Sequence, residues 1–209
     1  LVESMSLYRV VIGIGVAGET ALAGPVVVSA AAFLVEQAPI VAFAGSLEDS
    51  EPLSVQEASD IKDAIQRMAL EIAVQQGALA HATLIRSAQE IDTKLVTTVV
   101  EEASLLAVAR VMEQLNTRFP AKEDFLVLRA EPTHDWHVEA AGLLAKQKFD
   151  RAMNKIAERY PTYGFATNRG YATKKHRQAL IDQGPCPEHR RTFKTVYESG
   201  PPCEGAEEL

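Results

Sequence analysis

The chain has 209 residues, 47% hydrophobic and 23% charged, with a formal net charge of −7. That length suits one domain with a substantial core, and no apolar run is long enough to cross a bilayer as a helix. Two cysteines, Cys186 and Cys203, do not make a disulfide-stapled scaffold.

In chain order, Tyr8 to Ile14 and Val26 to Phe33 read as strands, rich in Val and Ile with a Gly-containing turn between them. Ile40 to Ala44 reads as a third. Ser54, with Glu57 three residues on, is a capping box, and Ile61, Ile65, Met68 and Ile72 follow at helical spacing. Leu79 to Ile85 reads as a strand. Val100 to Leu115 reads as a long amphipathic helix with Leu105, Val108, Met112 and Leu115 as its apolar stripe. Phe125 to Leu128 is a short strand, and Val138 to Arg159 is helical, stopped before Pro161. This order predicts a mixed α/β layer fold in one domain, residues 1–198. A flexible acidic tail, residues 199–209, follows.

The net charge conceals a segregation. From Lys146 to Lys194 there are 12 Lys and Arg against 4 Asp and Glu, a local charge of +8; the remaining residues hold 9 against 24, or −15. A basic C-terminal lobe on an acidic body can hold a phosphate backbone. Solvated helix faces explain the same pattern equally well.

The segment Ile12-Gly13-Ile14-Gly15-Val16-Ala17-Gly18-Glu19-Thr20-Ala21-Leu22-Ala23-Gly24-Pro25-Val26 resembles the opening motif of type 2 ribonuclease H, the bacterial ribonuclease HII. That motif runs hydrophobic-Gly-hydrophobic-Asp-Glu-Ala-Gly-Arg-Gly, a small residue, then Leu-Ala-Gly-Pro-Val. Further blocks follow in family order: Gly45 to Ser54, Glu90-Ile91-Asp92, Ala103 to Ala107 and Ala140 to Lys146. Tyr160 to Phe165, Arg169 to Thr173, His176 and Gly184 to Phe193 complete the series. The resemblance spans roughly residues 8 to 197 and implies a ribonuclease H-like mixed sheet flanked by helices, with a helical C-terminal region. It also implies activity on the RNA strand of RNA–DNA duplexes, through divalent ions held by four carboxylates.

At those four positions this chain has Gly15, Val16, Arg129 and Asp150, so only Asp150 keeps a carboxylate. Glu19 and Glu51 stand where the family has Arg and Lys. Hard divalent ions need clustered oxygen ligands. These departures predict a pseudoenzyme with no catalytic residues, no metal and no cofactor, in which Arg129 pairs with Asp150. The predicted function is a structural or adaptor subunit of a large ribonucleoprotein assembly, such as an organellar (mitochondrial) ribosome. The predicted partners are protein subunits of that complex and RNA, with no membrane. The alternatives are a stand-alone, non-catalytic module that binds RNA or RNA–DNA hybrid, and a divergent nuclease using Asp150 with Glu19 or Glu131. A mitochondrial or other organellar matrix is favoured over the cytoplasm. The candidate nucleic-acid contacts are Lys146, Lys148, Arg169, Tyr171, Lys174, Lys175, Arg190 and Arg191.

Three other patterns carry less weight. His134-x-x-His137 has metal-ligand spacing, but Asp135 between them suits a helix cap. Cys186 and His189, with Cys203, could supply zinc ligands. Gly13-x-Gly15-x-x-Gly18 has dinucleotide-binding spacing, but Pro25 and the second strand leave no helix for it.

Overall fold

The computed structural model describes residues 8–34, 78–118, 125–129 and 136–201. The strands are β1 (Tyr8–Ala17), β2 (Val26–Leu34), β3 (Ala80–Arg86) and β4 (Phe125–Arg129). The helices are α1 (Ala88–Thr93), α2 (Val96–Arg118), α3 (Trp136–Arg159), α4 (Phe165–Asn168), α5 (Lys174–Gln183) and α6 (Lys194–Tyr197). A 3₁₀ turn, Pro161–Tyr163, precedes α4. The strands form one sheet in the order β3-β2-β1-β4. β1 and β4 are parallel, in a register that places Tyr8 beside Phe125 and Ile12 beside Arg129.

Four of the expected strands and both expected helices from Val100 onward are present, with longer bounds except for the strand expected at Leu79–Ile85, which is shifted by one residue to Ala80–Arg86. The expected strand Ile40–Ala44 and the helix after Ser54 lie outside the described residues. The short helices α1 and α5 escaped the sequence reading, although both carry legible caps. Ser87 Oγ accepts from the Glu90 N–H at 3.2 Å, and the Glu90 carboxylate accepts from the Ser87 N–H at 2.8 Å. Thr173 opens α5 by accepting from the His176 N–H.

The expected stripe of α2 is displaced. Its buried positions are Val99, Ala103, Ala107, Val111 and Leu115, whereas Leu105 is 73% exposed. Selecting the largest side chains misplaced the stripe, because small residues at every fourth position make the packed face.

Chain contacts divide the molecule into two compact units. The first comprises Leu1–Gly15, Ser29–Ala82 and Ala107–Leu144; the second comprises Val16–Val28, Thr83–Leu106 and Ala145–Leu209. In the first unit Ala31 and Phe33 of β2 pack with Ala140 and Ala141 of α3. Gln114 covers β3 as a strand would: its amide accepts from the His81 N–H and donates to the His81 carbonyl. Here β1 lies against the α3 backbone. A Cβ on Gly15 would fall 2.0 Å from the Gly142 nitrogen, and one on Gly13 would fall 1.9 Å from the His137 carbonyl oxygen.

In the second unit a core forms from Leu22, Val27, Phe149, Met153, Ile156, Tyr163, Phe165, Leu180 and Val196. Each such side chain, when fully buried, contributes about 1.5–3 kcal/mol.

Gly15→Ala is expected to destabilise the fold by about 1–3 kcal/mol, because backbone must shift to admit the methyl group. Gly142→Ala is expected to stabilise it by up to about 1 kcal/mol, since a Cβ there meets nothing within 4 Å. Urea unfolding of the two variants checks both signs.

Candidate nucleic-acid interface

The loop between β1 and β2 is the most heavily constrained segment of the second unit. Gly18 has φ +80°, and a Cβ there would fall 2.4 Å from the Phe149 ring. Only glycine fits both the conformation and the space. The loop is then held from the C-terminal segment. Leu22 N–H donates to the Gly170 carbonyl, Gly24 N–H to the Glu188 carbonyl, and Arg190 N–H to the Leu22 carbonyl. Ala23 and His189 form an antiparallel bridge.

Arg190 completes this grip from inside. Its side chain is fully buried, and its guanidinium donates to the carbonyls of Gly18 (2.6 Å), Glu19 (2.8 Å), Gly24 (3.1 Å) and Pro25 (2.9 Å). Burial pulls its pKa down to about 10, so it is still a cation at neutral pH. Asp92, from the Glu90-Ile91-Asp92 block, accepts from the Arg191 and Thr192 N–H groups and from the Thr192 hydroxyl. This fixes the chain just beyond Arg190.

Behind the loop lies a buried imidazole pair. His176 and His189 meet through their Nε2 atoms at 3.0 Å. His189 Nδ1 accepts from the Cys186 N–H, so its proton sits on Nε2. His176 Nδ1 therefore carries that ring's proton and donates to the Tyr171 carbonyl at 2.9 Å. Each nitrogen of His189 is committed, and Cys186 Sγ is 3.1 Å from Nδ1. That arrangement suits packing, not a zinc ligand set, and Cys203 lies outside the described residues. Burial lowers the pKa of both rings, that of His189 to about 3, with the neighbouring His176 contributing.

Asp150 is the half-buried carboxylate on this side. Arg169 Nε lies 3.6 Å from one of its oxygens and Lys146 Nζ 3.9 Å from the other. Arg169 also donates to Asn154. It holds φ +52°, an uncommon conformation for a side-chain-bearing residue, next to Gly170 at φ +79°. Asn168 locks this turn by donating to the Tyr163 carbonyl and accepting from the Gly170 N–H. The turn presents Tyr171, 40% exposed, with its ring 6.3 Å from that of Phe149.

Among the predicted contacts, Lys146, Arg169 and Tyr171 therefore gather around Asp150 and Phe149. Lys148, Lys174, Lys175 and Arg191 are exposed. Arg190 must be withdrawn as a direct contact, because its guanidinium is buried and bonded to carbonyls. Of the former carboxylate positions, Gly15 and Arg129 belong to the first unit, Val16 and Asp150 to the second. The Arg129 side chain and Glu131 lie outside the described residues, as does His134, so neither the Arg129–Asp150 pair nor the His-x-x-His reading meets a described geometry. His137 is buried beside Phe33. Among the described residues, the side chains do not fit a carboxylate-held metal pair. Gly15 and Val16 offer no oxygen, Asp150 faces two cations, and among the described residues no group of three or more His, Cys, Asp or Glu could hold a metal ion.

The sheet order and the helices packed with it define an α/β protein of the ribonuclease H-like class. Solved structures share it at the level of fold. The ribonuclease H2 from Pyrococcus horikoshii OT3 superposes with a TM-score of 0.58 at 18% identity, covering 91% of this chain and 96% of that one. The ribonuclease HII of a PCNA complex from Archaeoglobus fulgidus gives 0.54 at 19% identity, covering 82% and 87%. The family model described as Ribonuclease HII matches residues 12–197. Ribonuclease HII of Syntrophotalea carbinolica is 34% identical over 91% of this chain and 88% of its own length. That of Burkholderia thailandensis is 35% identical over 91% and 86%. The chain belongs to the ribonuclease HII family.

That membership corrects one expectation. Gly15, Val16 and Arg129 led to a pseudoenzyme reading, but the matched relatives are named as ribonucleases, an enzyme family. Three side chains, one of them outside the described residues, are too narrow a basis to set that aside.

The imidazole pair predicts an acid-sensitive fold. The folded pKa values lie below the unfolded value near 6.5, so the stabilisation is complete above pH 6.5. The His189 part is lost as pH falls toward about 3. Between pH 6.5 and 5, where ordinary carboxylates stay ionised, His189 should cost up to about 1.4 kcal/mol per pH unit, with His176 adding in the same direction. Urea unfolding across that window checks the slope; a flat profile would contradict the neutral pair.

Proposed function

We propose that this chain recognises RNA within RNA–DNA duplexes, using the Gly18–Thr20 loop, the Tyr171 turn and the cations beside Asp150. The observation that carries the reading is the Arg169–Gly170–Tyr171 turn. It presents a cation and an exposed aromatic ring next to the Phe149 ring that supports Gly18. The exposed lysines at the start of α5 add a phosphate-facing positive charge. The relatives' name, Ribonuclease HII, supports RNA as the class of ligand. No helix among the described residues is long and apolar enough to cross a membrane.

A second reading places the chain as a subunit of a ribonucleoprotein assembly. A ribonuclease HII of this fold has been solved in complex with PCNA. Co-purification of protein and RNA subunits at fixed stoichiometry would support this reading; a protein isolated alone would not.

Fluorescence anisotropy with a labelled RNA–DNA hybrid and an all-DNA duplex of the same sequence tests the first reading. The hybrid is expected to bind more tightly, with affinity falling as salt rises. Lys174→Ala combined with Lys175→Ala should reduce the log–log salt slope by about 1–2. Equal affinity for both duplexes would contradict the reading. Incubating the hybrid with Mg²⁺ or Mn²⁺ and following strand length reports directly whether the bound duplex is also cleaved.

A further inference from the structure

We propose that the exposed row Lys148, Arg151 and Lys155 on α3 is a second contact surface, apart from the Tyr171 turn, that takes the phosphate backbone of a further double-helical nucleic-acid segment.

Helix geometry places the row. At about 100° per residue, Lys148, Arg151, Lys155 and Arg159 fall within an arc of roughly 80°. All four are exposed, while Phe149, Met153 and Ile156 turn inward to the core. Lys146 and Asp150 lie about 140–180° round the helix from the row. The Asp150 cluster and the row therefore occupy opposite flanks of α3. Gln147, Asn154 and Glu158 line the exposed crest between them, and Arg169 bonds to Asn154 on the Asp150 side of that crest. Two neutral amides and an acid there break the positive potential into two separate patches.

The row differs from an ordinary solvated helix face. The chain holds 21 Lys and Arg against 28 Asp and Glu, and cations elsewhere on its surface find partners. Arg86 pairs with Glu90, Lys94 with Glu102 and Lys194 with Glu198. Arg159, at the end of the row, pairs with Glu188 at 2.6 Å. Among the described residues, no carboxylate pairs with Lys148, Arg151 or Lys155. Like charges three and four residues apart on a helix repel. The row therefore costs helix stability that no internal partner offsets, and an external anion would offset it.

The chemistry of the row selects the occupant. Lys148 to Lys155 spans about 10 Å of helix, the axial length of about three phosphates on one strand. Lys and Arg on exposed stems hold phosphate oxygens without reading bases. A single strand would also need exposed rings on which its bases stack. The ring within this span, Phe149, is buried. A double helix keeps its bases stacked inward and needs no such ring.

The test is Arg151→Gln combined with Lys155→Gln, which removes two charges and keeps good helix formers. An all-DNA duplex of about 12 base pairs, just over one helical turn, is titrated at low salt. Sedimentation counts the duplexes bound per chain, and the melting temperature confirms folding. The unaltered chain is expected to bind two duplexes, the second with affinity that falls steeply as salt rises. The double variant is expected to bind one. One duplex per unaltered chain, or two per variant chain, would overturn the proposal. Self-association that the double substitution abolishes, with no second duplex bound, would assign the row to a second copy and overturn it equally. Two duplexes without any preference for the hybrid would sink the recognition reading above and leave this one standing. If the variant does not fold, lysine acetylation of the unaltered chain decides. Lys148 and Lys155 should be protected at least fivefold by the second equivalent of duplex, and no protection would contradict the proposal.

Discussion

The loop between the first two strands depends on one buried cation. Arg190 sits where a charge is least welcome, and it is tolerated because four carbonyl dipoles converge on it. Nothing else in the loop has comparable directional force. The Ala23–His189 bridge and the Gly170 and Glu188 carbonyls fix its edges, but the guanidinium sets how its peptides face. The paired imidazoles support the same segment from behind. Their tautomers interlock only when both rings are neutral, so the C-terminal segment and the loop it holds share a sensitivity to acid.

The first unit expresses a different constraint, the approach of strand to helix. At Gly13 and Gly15 the β1 backbone meets the α3 backbone with no space for a side chain. From sequence, Gly15 reads as a missing ligand. From structure, it is also a packing requirement, since any side chain there obliges α3 to move. The two readings are compatible, but the second adds a stability cost to any side chain placed at Gly15. At Asp150 the local electrostatics differ from those of a metal ligand. Two cations occupy its vicinity, and surface pairs of this kind contribute roughly 0–1 kcal/mol. Their effect is therefore mainly on local charge, and they place Arg169 beside the Tyr171 turn.

Much of this architecture was legible beforehand. Runs of Val, Ile and Ala located β1 and β2, and the order of family-like blocks indicated the fold. Ser87 with Glu90, and Thr173 before α5, were readable caps that the sequence reading passed over. The buried stripe of α2 was harder, because Ala103 and Ala107 bury completely while the larger Leu105 does not. Arg190 was the least accessible. In a Lys- and Arg-rich segment a charged residue reads as surface, and its true partners lie more than 160 positions away. A receptor made of carbonyls leaves no side-chain signature. The His189-Arg190-Arg191 run offered the only local hint, and it favoured the exposed Arg191 equally. The family was legible in the sequence; the pseudoenzyme expectation came from weighing a few site positions above that resemblance, and the relatives' being named as ribonucleases overturns it.

A structure of this protein bound to an RNA–DNA hybrid containing a defined junction tests the account most directly. The account predicts that the ribonucleotide lies over Gly18–Thr20 and Tyr171, with Arg190 still buried beneath the loop. A duplex seated elsewhere, or a loop whose carbonyls have turned away from Arg190, would contradict it.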